Sequence, residues 1–168
     1  MPHLRLEVPE EWLREDFRAA TGFDAKKLLD HLVQVVSNLR MDNPAIEKRL
    51  ADGAADSGDL PKQVPFINLT NLKHAIVPLY HAHVAGDEGK RFLHATLSAG
   101  NDTPGRSPAV RRRVAETLGN EIDAFTAGVQ GLASVTAHVK DIDRDRGYST
   151  TAERKKKREQ IAATPAKP

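Results

Sequence analysis

Pro2 is the first residue whose chemistry stands out. Methionine is removed from chains ahead of small residues, so Pro2 is expected to become the N-terminus and to present a secondary amine. Ordinary α-amino groups titrate at about 7.7–8.0, and burial or nearby cations lower that value. An amine poised near the operating pH can take a proton from one oxygen or carbon and return it to another, which is general acid–base chemistry. Taken alone, Pro2 is as well explained as a small second residue that permits methionine removal. His81 and His83 form an H-x-H pair on one face of a strand, which holds zinc only with a third ligand, and the sequence names none. No metal is therefore expected. The run Arg154-Lys155-Lys156-Lys157-Arg158 suits an anionic surface or nucleic acid as well as plain solubility. No aromatic residue follows Tyr148, so base stacking is not suggested. Phosphate-cradling glycine loops and a Gly-x-Ser-x-Gly elbow are absent. Cysteine is absent too, which excludes disulfides, thiolate zinc and a cysteine nucleophile.

The elements that must position these groups fit in one domain of 168 residues. No apolar run approaches the ~20 residues of a membrane span. Residues 1–11 lack the basic and apolar regions of a signal peptide, so a cytoplasmic protein is expected. The net charge of +2 hides an uneven distribution. Residues 150–168 carry six basic and two acidic residues, against 19 basic and 21 acidic in the rest. The body (1–148) is near neutral and argues against a nucleic-acid face, while the basic tail (149–168) is expected to be flexible.

Alternation of apolar residues predicts a first strand over 2–8, with Leu4, Leu6 and Val8 on one face. A helix is predicted over 24–40 from the spacing of Leu28, Leu29, Leu32, Val33, Val36 and Leu39, with Thr21 as its cap. The prolines and glycines of 41–65 interrupt the pattern around one short helix, Ala45 to Asp52. A strand follows within 72–85, at a sheet edge because Pro78 lacks a donor. Gly86 to Lys90 reads as a turn and 91–98 as a strand with Phe92, His94 and Thr96 on one face. Ser107 and Pro108 open a second helix over 107–127, and 132–142 alternates as the last strand. The result is two β-α-β units, an α+β class in which two helices cover one face of a four-stranded sheet. The other face then needs a partner, which predicts an oligomer.

Met1-Pro2-His3, the strand Phe92-Leu93-His94-Ala95-Thr96-Leu97, the turn Gly105-Arg106-Ser107 and the closing strand together resemble the 5-carboxymethyl-2-hydroxymuconate isomerase family of the tautomerase superfamily. The similarity is best from Phe66 to Lys155 and over the first eight residues. It is poor across 41–65, which reads as an insertion. The resemblance implies a homotrimer of β-α-β units. It also implies isomerisation of a small unsaturated 2-hydroxy or 2-oxo acid without cofactor, in the breakdown of aromatic compounds. It gives Pro2 the role of base, and Arg106 that of a fork for a substrate carboxylate beside a helix N-terminus. The family's second arginine falls where this chain has Asn71-Leu72-Lys73-His74, so Lys73 or His74 would have to supply the charge. His3 and His94 could line the pocket, but each reads more simply as a hydrogen-bonded structural histidine. A keto–enol or haloacrylate substrate stays open. So does a non-catalytic oligomeric binding protein that uses its basic tail.

Overall fold

A computed structural model describes residues 2–68, 70, 72–80, 83–84, 87–100 and 105–142. The basic tail, His81 and most of the loop after Gly100 lie outside these residues.

Strand β1 (His3–Pro9) buries Leu4, Leu6 and Val8 and turns His3, Arg5 and Glu7 the other way, as its alternation requires. A 3₁₀ turn (Glu10–Leu13) and helix α1 (Glu15–Thr21) follow. They close one end of the core by stacking Trp12 on Phe17 (5.1 Å between centroids) and edge-on to Phe23 (5.4 Å).

Helix α2 (Ala25–Asn38) is capped by Asp24, which accepts from the N–H groups of Lys26 and Lys27. The expected cap, Thr21, lies one element earlier: its hydroxyl donates to the Phe17 carbonyl and accepts from the Phe23 N–H. Gly22, with φ 75°, separates the two helices, so only Asp24 has the extended backbone and adjacency that a cap needs.

The segment 41–65 holds the expected short helix, α3 (Pro44–Ala51). It also holds an unexpected antiparallel ribbon of β2 (Arg40–Asp42) with β3 (Gln63–Pro65). Three-residue strands are too short to show a period of two.

Strand β4 (Lys73–Leu79) runs parallel to β1 and completes the first β-α-β unit. Among the described residues it pairs with β1 alone, so Pro78 does sit at an edge. Strands β5 (His83–Val84) and β6 (Asp87–Gly100) form a hairpin. Asp87 to Lys90, expected as a turn, therefore belong to a strand, because pairing with β5 extends β6 backwards. Helix α4 (Pro108–Phe125) is capped by Ser107, whose Oγ accepts from the Val110 N–H. Strand β7 (Leu132–Ile142) lies parallel to β6 and completes the second unit. The two units join through the antiparallel pair β1–β6, giving the order β4-β1-β6-β7 with β5 beside the start of β6.

Both long helices lie on one face: α2 packs on β1 and β4, α4 on β6 and β7, and the helices touch each other. Leu28, Leu32 and Val36 meet Leu118 and Ile122 over Leu6, Leu93 and Leu97, all fully buried. Each such side chain contributes about 1.5–3 kcal/mol. The opposite face of the sheet has no element over it among the described residues.

Candidate functional site

That uncovered face carries a groove of about 820 Å³. Strand register sets its lining in rows. Lys73 pairs with His3, His3 with Ser98 and Ser98 with Lys140, so these four residues cross the sheet in one line. The next line runs Ala75, Arg5, Thr96, His138, and the one after it Val77, Glu7, His94, Thr136. Residues paired in register share a face, and this face is polar while the other is the core.

His94 is held at both ring nitrogens, Nδ1 by the Thr136 hydroxyl (2.9 Å) and Nε2 by the Thr96 hydroxyl (3.0 Å). His3 is different: its Nε2 is buried without a hydrogen-bond partner. Burial holds the His3 imidazole below its usual pKa, helped by the positive chain terminus and by Lys73. Glu7, the one carboxylate lining the groove among the described residues, is paired with Arg5 at 3.1 Å.

Of the residues singled out from the sequence, His3, Lys73, His74 and His94 all line this groove. Pro2 is adjacent, with its carbonyl accepting from the Lys73 N–H at 3.1 Å. Arg106 is elsewhere. Its Nη2 donates to the Phe66 carbonyl at 2.7 Å and its guanidinium lies 5.0 Å from the centre of the Phe66 ring. It lines a separate hollow of about 410 Å³ with Asp42, Pro44, Glu47, Gly105, Ser107 and Val110, which does not include Pro2. Arg5, His138 and Lys140 also line the groove, and nothing in their residue types singles them out in the sequence. Alternation along 2–8 and 132–142 already put them on the polar side, and only the pairing of the strands brings them together. His81 lies outside the described residues, and no cluster of three metal-ligating side chains occurs among those described. None of the described helices is long and apolar enough to cross a membrane.

Two β-α-β units joined antiparallel, with both helices on one face, define an α+β fold of the tautomerase-like kind. The chain is similar in structure to a crystal structure of 5-carboxymethyl-2-hydroxymuconate delta-isomerase, at a TM-score of 0.58 over 99% of this chain and 96% of that one, with 15% identity. A 5-carboxymethyl-2-hydroxymuconate isomerase from Deinococcus radiodurans R1 aligns at 0.45 over 89% and 88%, with 16% identity. A fused 4-OT wild type asymmetric trimer aligns at 0.43 over 89% and 92%, with 17% identity. At those two scores the alignments add nothing to the fold assignment. No protein-family model matches the chain, and no curated protein matches it.

Proposed function

We propose that the protein is a cofactor-independent tautomerase that moves a proton within a small unsaturated 2-hydroxy or 2-oxo acid, with Pro2 as its base. The observation that carries this reading is the place of Pro2: it immediately precedes β1 of a tautomerase-like sheet, paired through its carbonyl to Lys73 beside a cationic groove. With Met1 removed, the neutral amine of Pro2 would take the proton from the substrate's enol oxygen or carbon and return it to another carbon, leaving the enzyme unchanged. Lys73 and His74 are the nearest candidates to hold a substrate carboxylate, and Arg106 the more distant one. Assembly into a homotrimer in the cytoplasm belongs to the same reading, since the sheet face without a layer over it gives copies a surface on which to meet.

The Arg106 hollow favours a second reading. Asp42 and Glu47 line it with Arg106, and their charge opposes a carboxylate ligand. A non-catalytic oligomeric binding protein with a basic tail needs no such ligand.

One experiment separates the two. Intact mass establishes whether Met1 is gone, and ultraviolet absorbance then follows ketonisation of a 2-hydroxymuconate dienol by wild type and Pro2→Ala. A wild-type rate lost in the variant supports the tautomerase. Rates equal to the buffer background in both mean either a different substrate, such as a keto–enol pair or a haloacrylate, or the binding protein.

A further inference from the structure

We propose that Thr96 and His94 form a second catalytic pair on the open sheet face, with the Thr96 hydroxyl as nucleophile and His94 as base for the hydrolysis of small carboxylic esters. This activity goes beyond the tautomerase reading and uses none of the residues assigned there.

Hydrogen-bond direction sets the roles. The Thr136 hydroxyl donates to the Leu93 carbonyl at 3.4 Å. Toward His94 it is therefore the acceptor, 2.9 Å from Nδ1, and Nδ1 carries the ring proton. The network thus assigns the tautomer. Nε2 of the neutral ring offers a lone pair, and the Thr96 hydroxyl, 3.0 Å away, donates to it. A hydroxyl bonded to a base, with the base held by a third group, is the arrangement of an activated nucleophile. Here Thr136 is the positioning residue.

Strand register supplies the rest of the site. Thr96 lies between Arg5 on β1 and His138 on β7 in one line across the sheet, and these three line the groove with His94. Neighbouring strands are ~4.8 Å apart, so Arg5 and His138 flank Thr96 on the same face within side-chain reach. Glu7 binds Arg5 through Nε, and the two amino groups of the fork supply donors to an oxyanion beside Thr96. The group behind His94 is a hydroxyl and not a carboxylate, which makes the ring a weaker base than in a Ser–His–Asp site. An ester suits that base better than an amide, because an alcohol leaves more readily than an amine. The groove's volume falls within the few hundred to ~1,000 Å³ typical of small-ligand sites.

In the first step the Thr96 Oγ bonds to the ester carbonyl carbon while its proton passes to His94 Nε2. The carbonyl electron pair moves onto oxygen, beside Arg5 and His138. Collapse of that intermediate breaks the bond to the leaving oxygen, and His94 returns the proton to the departing alcohol. Water then attacks the acyl-Thr96 ester, gives its proton to His94, and releases the acid as the proton goes back to Thr96 Oγ.

The test is hydrolysis of p-nitrophenyl acetate by the full-length protein, followed well past one turnover per chain. The expected result is saturable turnover above the buffer rate. Its kcat/KM falls by about 10²-fold or more in Thr96→Val and in His94→Gln. Thr96→Ser keeps the hydroxyl and keeps activity. Circular dichroism confirms that the variants fold. Thr136→Val lowers kcat at unchanged KM, because the ring loses its orientation while the groove stays, and Thr136→Ser restores kcat. Peptide mapping of wild type quenched during turnover finds the acetyl group on Thr96, a readout that needs no variant. Turnover no faster than buffer overturns the proposal. Unchanged turnover in folded Thr96→Val overturns it as well, as does an acetyl group found only on Pro2 or on lysines.

Discussion

The Lys73 backbone N–H donates to the Pro2 carbonyl oxygen at 3.1 Å, so the edge strand holds the residue just before the first strand. The bond uses a carbonyl that every residue possesses. The fold at this point is therefore indifferent to what residue 2 is, whereas the proposed chemistry depends on it entirely.

Pro2→Ala should accordingly melt within a few degrees of wild type while losing activity. General acid–base groups contribute on the order of 10²–10⁴ in rate, so a loss of that size is expected in the dienol assay. Pro2→Leu, which blocks methionine removal, should fall as far. Thermal melts beside initial rates check both. A Pro2→Ala enzyme at wild-type speed would falsify the assignment of the base.

Arg106 has a structural task whatever else it does. It bonds the carbonyl of Phe66, a fully buried residue, and lies over its ring. Arg106→Ala leaves that carbonyl without this donor, at about 1–3 kcal/mol, and removes a cation–π contact of about 0.5–1 kcal/mol. Urea denaturation should show a lowered midpoint. Arg106→Lys should recover part of the stability. Were the fork also a carboxylate clamp, KM would rise in both variants, because lysine restores charge without the two-point geometry.

Much of the fold was legible in the residues, because long strands and helices repeat their pattern enough times to be read. Leu4, Leu6 and Val8 announce β1, and Val114, Leu118 and Ile122 announce the buried side of α4. The β2–β3 ribbon was not legible, since three residues carry one alternation. The groove was half legible. His3 and His94 stood out as histidines, but Arg5, His138 and Lys140 look like ordinary solvated residues until register sets them in lines. Arg106 was singled out by resemblance, and its bond to a carbonyl 40 residues away is a tertiary fact.

The lowered pKa of His3 carries a pH dependence of known sign. Below the usual histidine value the unfolded chain binds a proton that the folded chain resists. The unfolded state then holds more protons, so stability rises with pH through the window from the lowered folded value up to the ordinary one. Denaturation midpoints should climb between mildly acidic and neutral pH, and His3→Asn should flatten that part of the climb. A wild-type profile unchanged by the substitution would remove His3 as the cause.

Two glycines should respond to alanine in opposite directions. Gly119 lies mid-way along α4, at an ordinary helical φ, and an added Cβ would meet only the Ala137 Cβ, at 3.8 Å, in normal van der Waals contact. Glycine there costs the helix backbone entropy, so Gly119→Ala should stabilise by about 0.5–1 kcal/mol. Gly131 sits at φ 82°, where its carbonyl accepts from the Arg91 N–H at 2.8 Å, and its Cβ would come within 3.3 Å of the Gly89 carbonyl oxygen. The left-handed backbone alone costs an alanine about 1–2 kcal/mol, and the crowding adds to it. This turn sets where β7 begins its pairing with β6, so Gly131→Ala should also loosen the end of β7, seen as faster amide exchange near Leu132. Chemical denaturation of the two variants side by side gives the signs, and stabilisation by Gly131→Ala would mean that the turn is not held at positive φ.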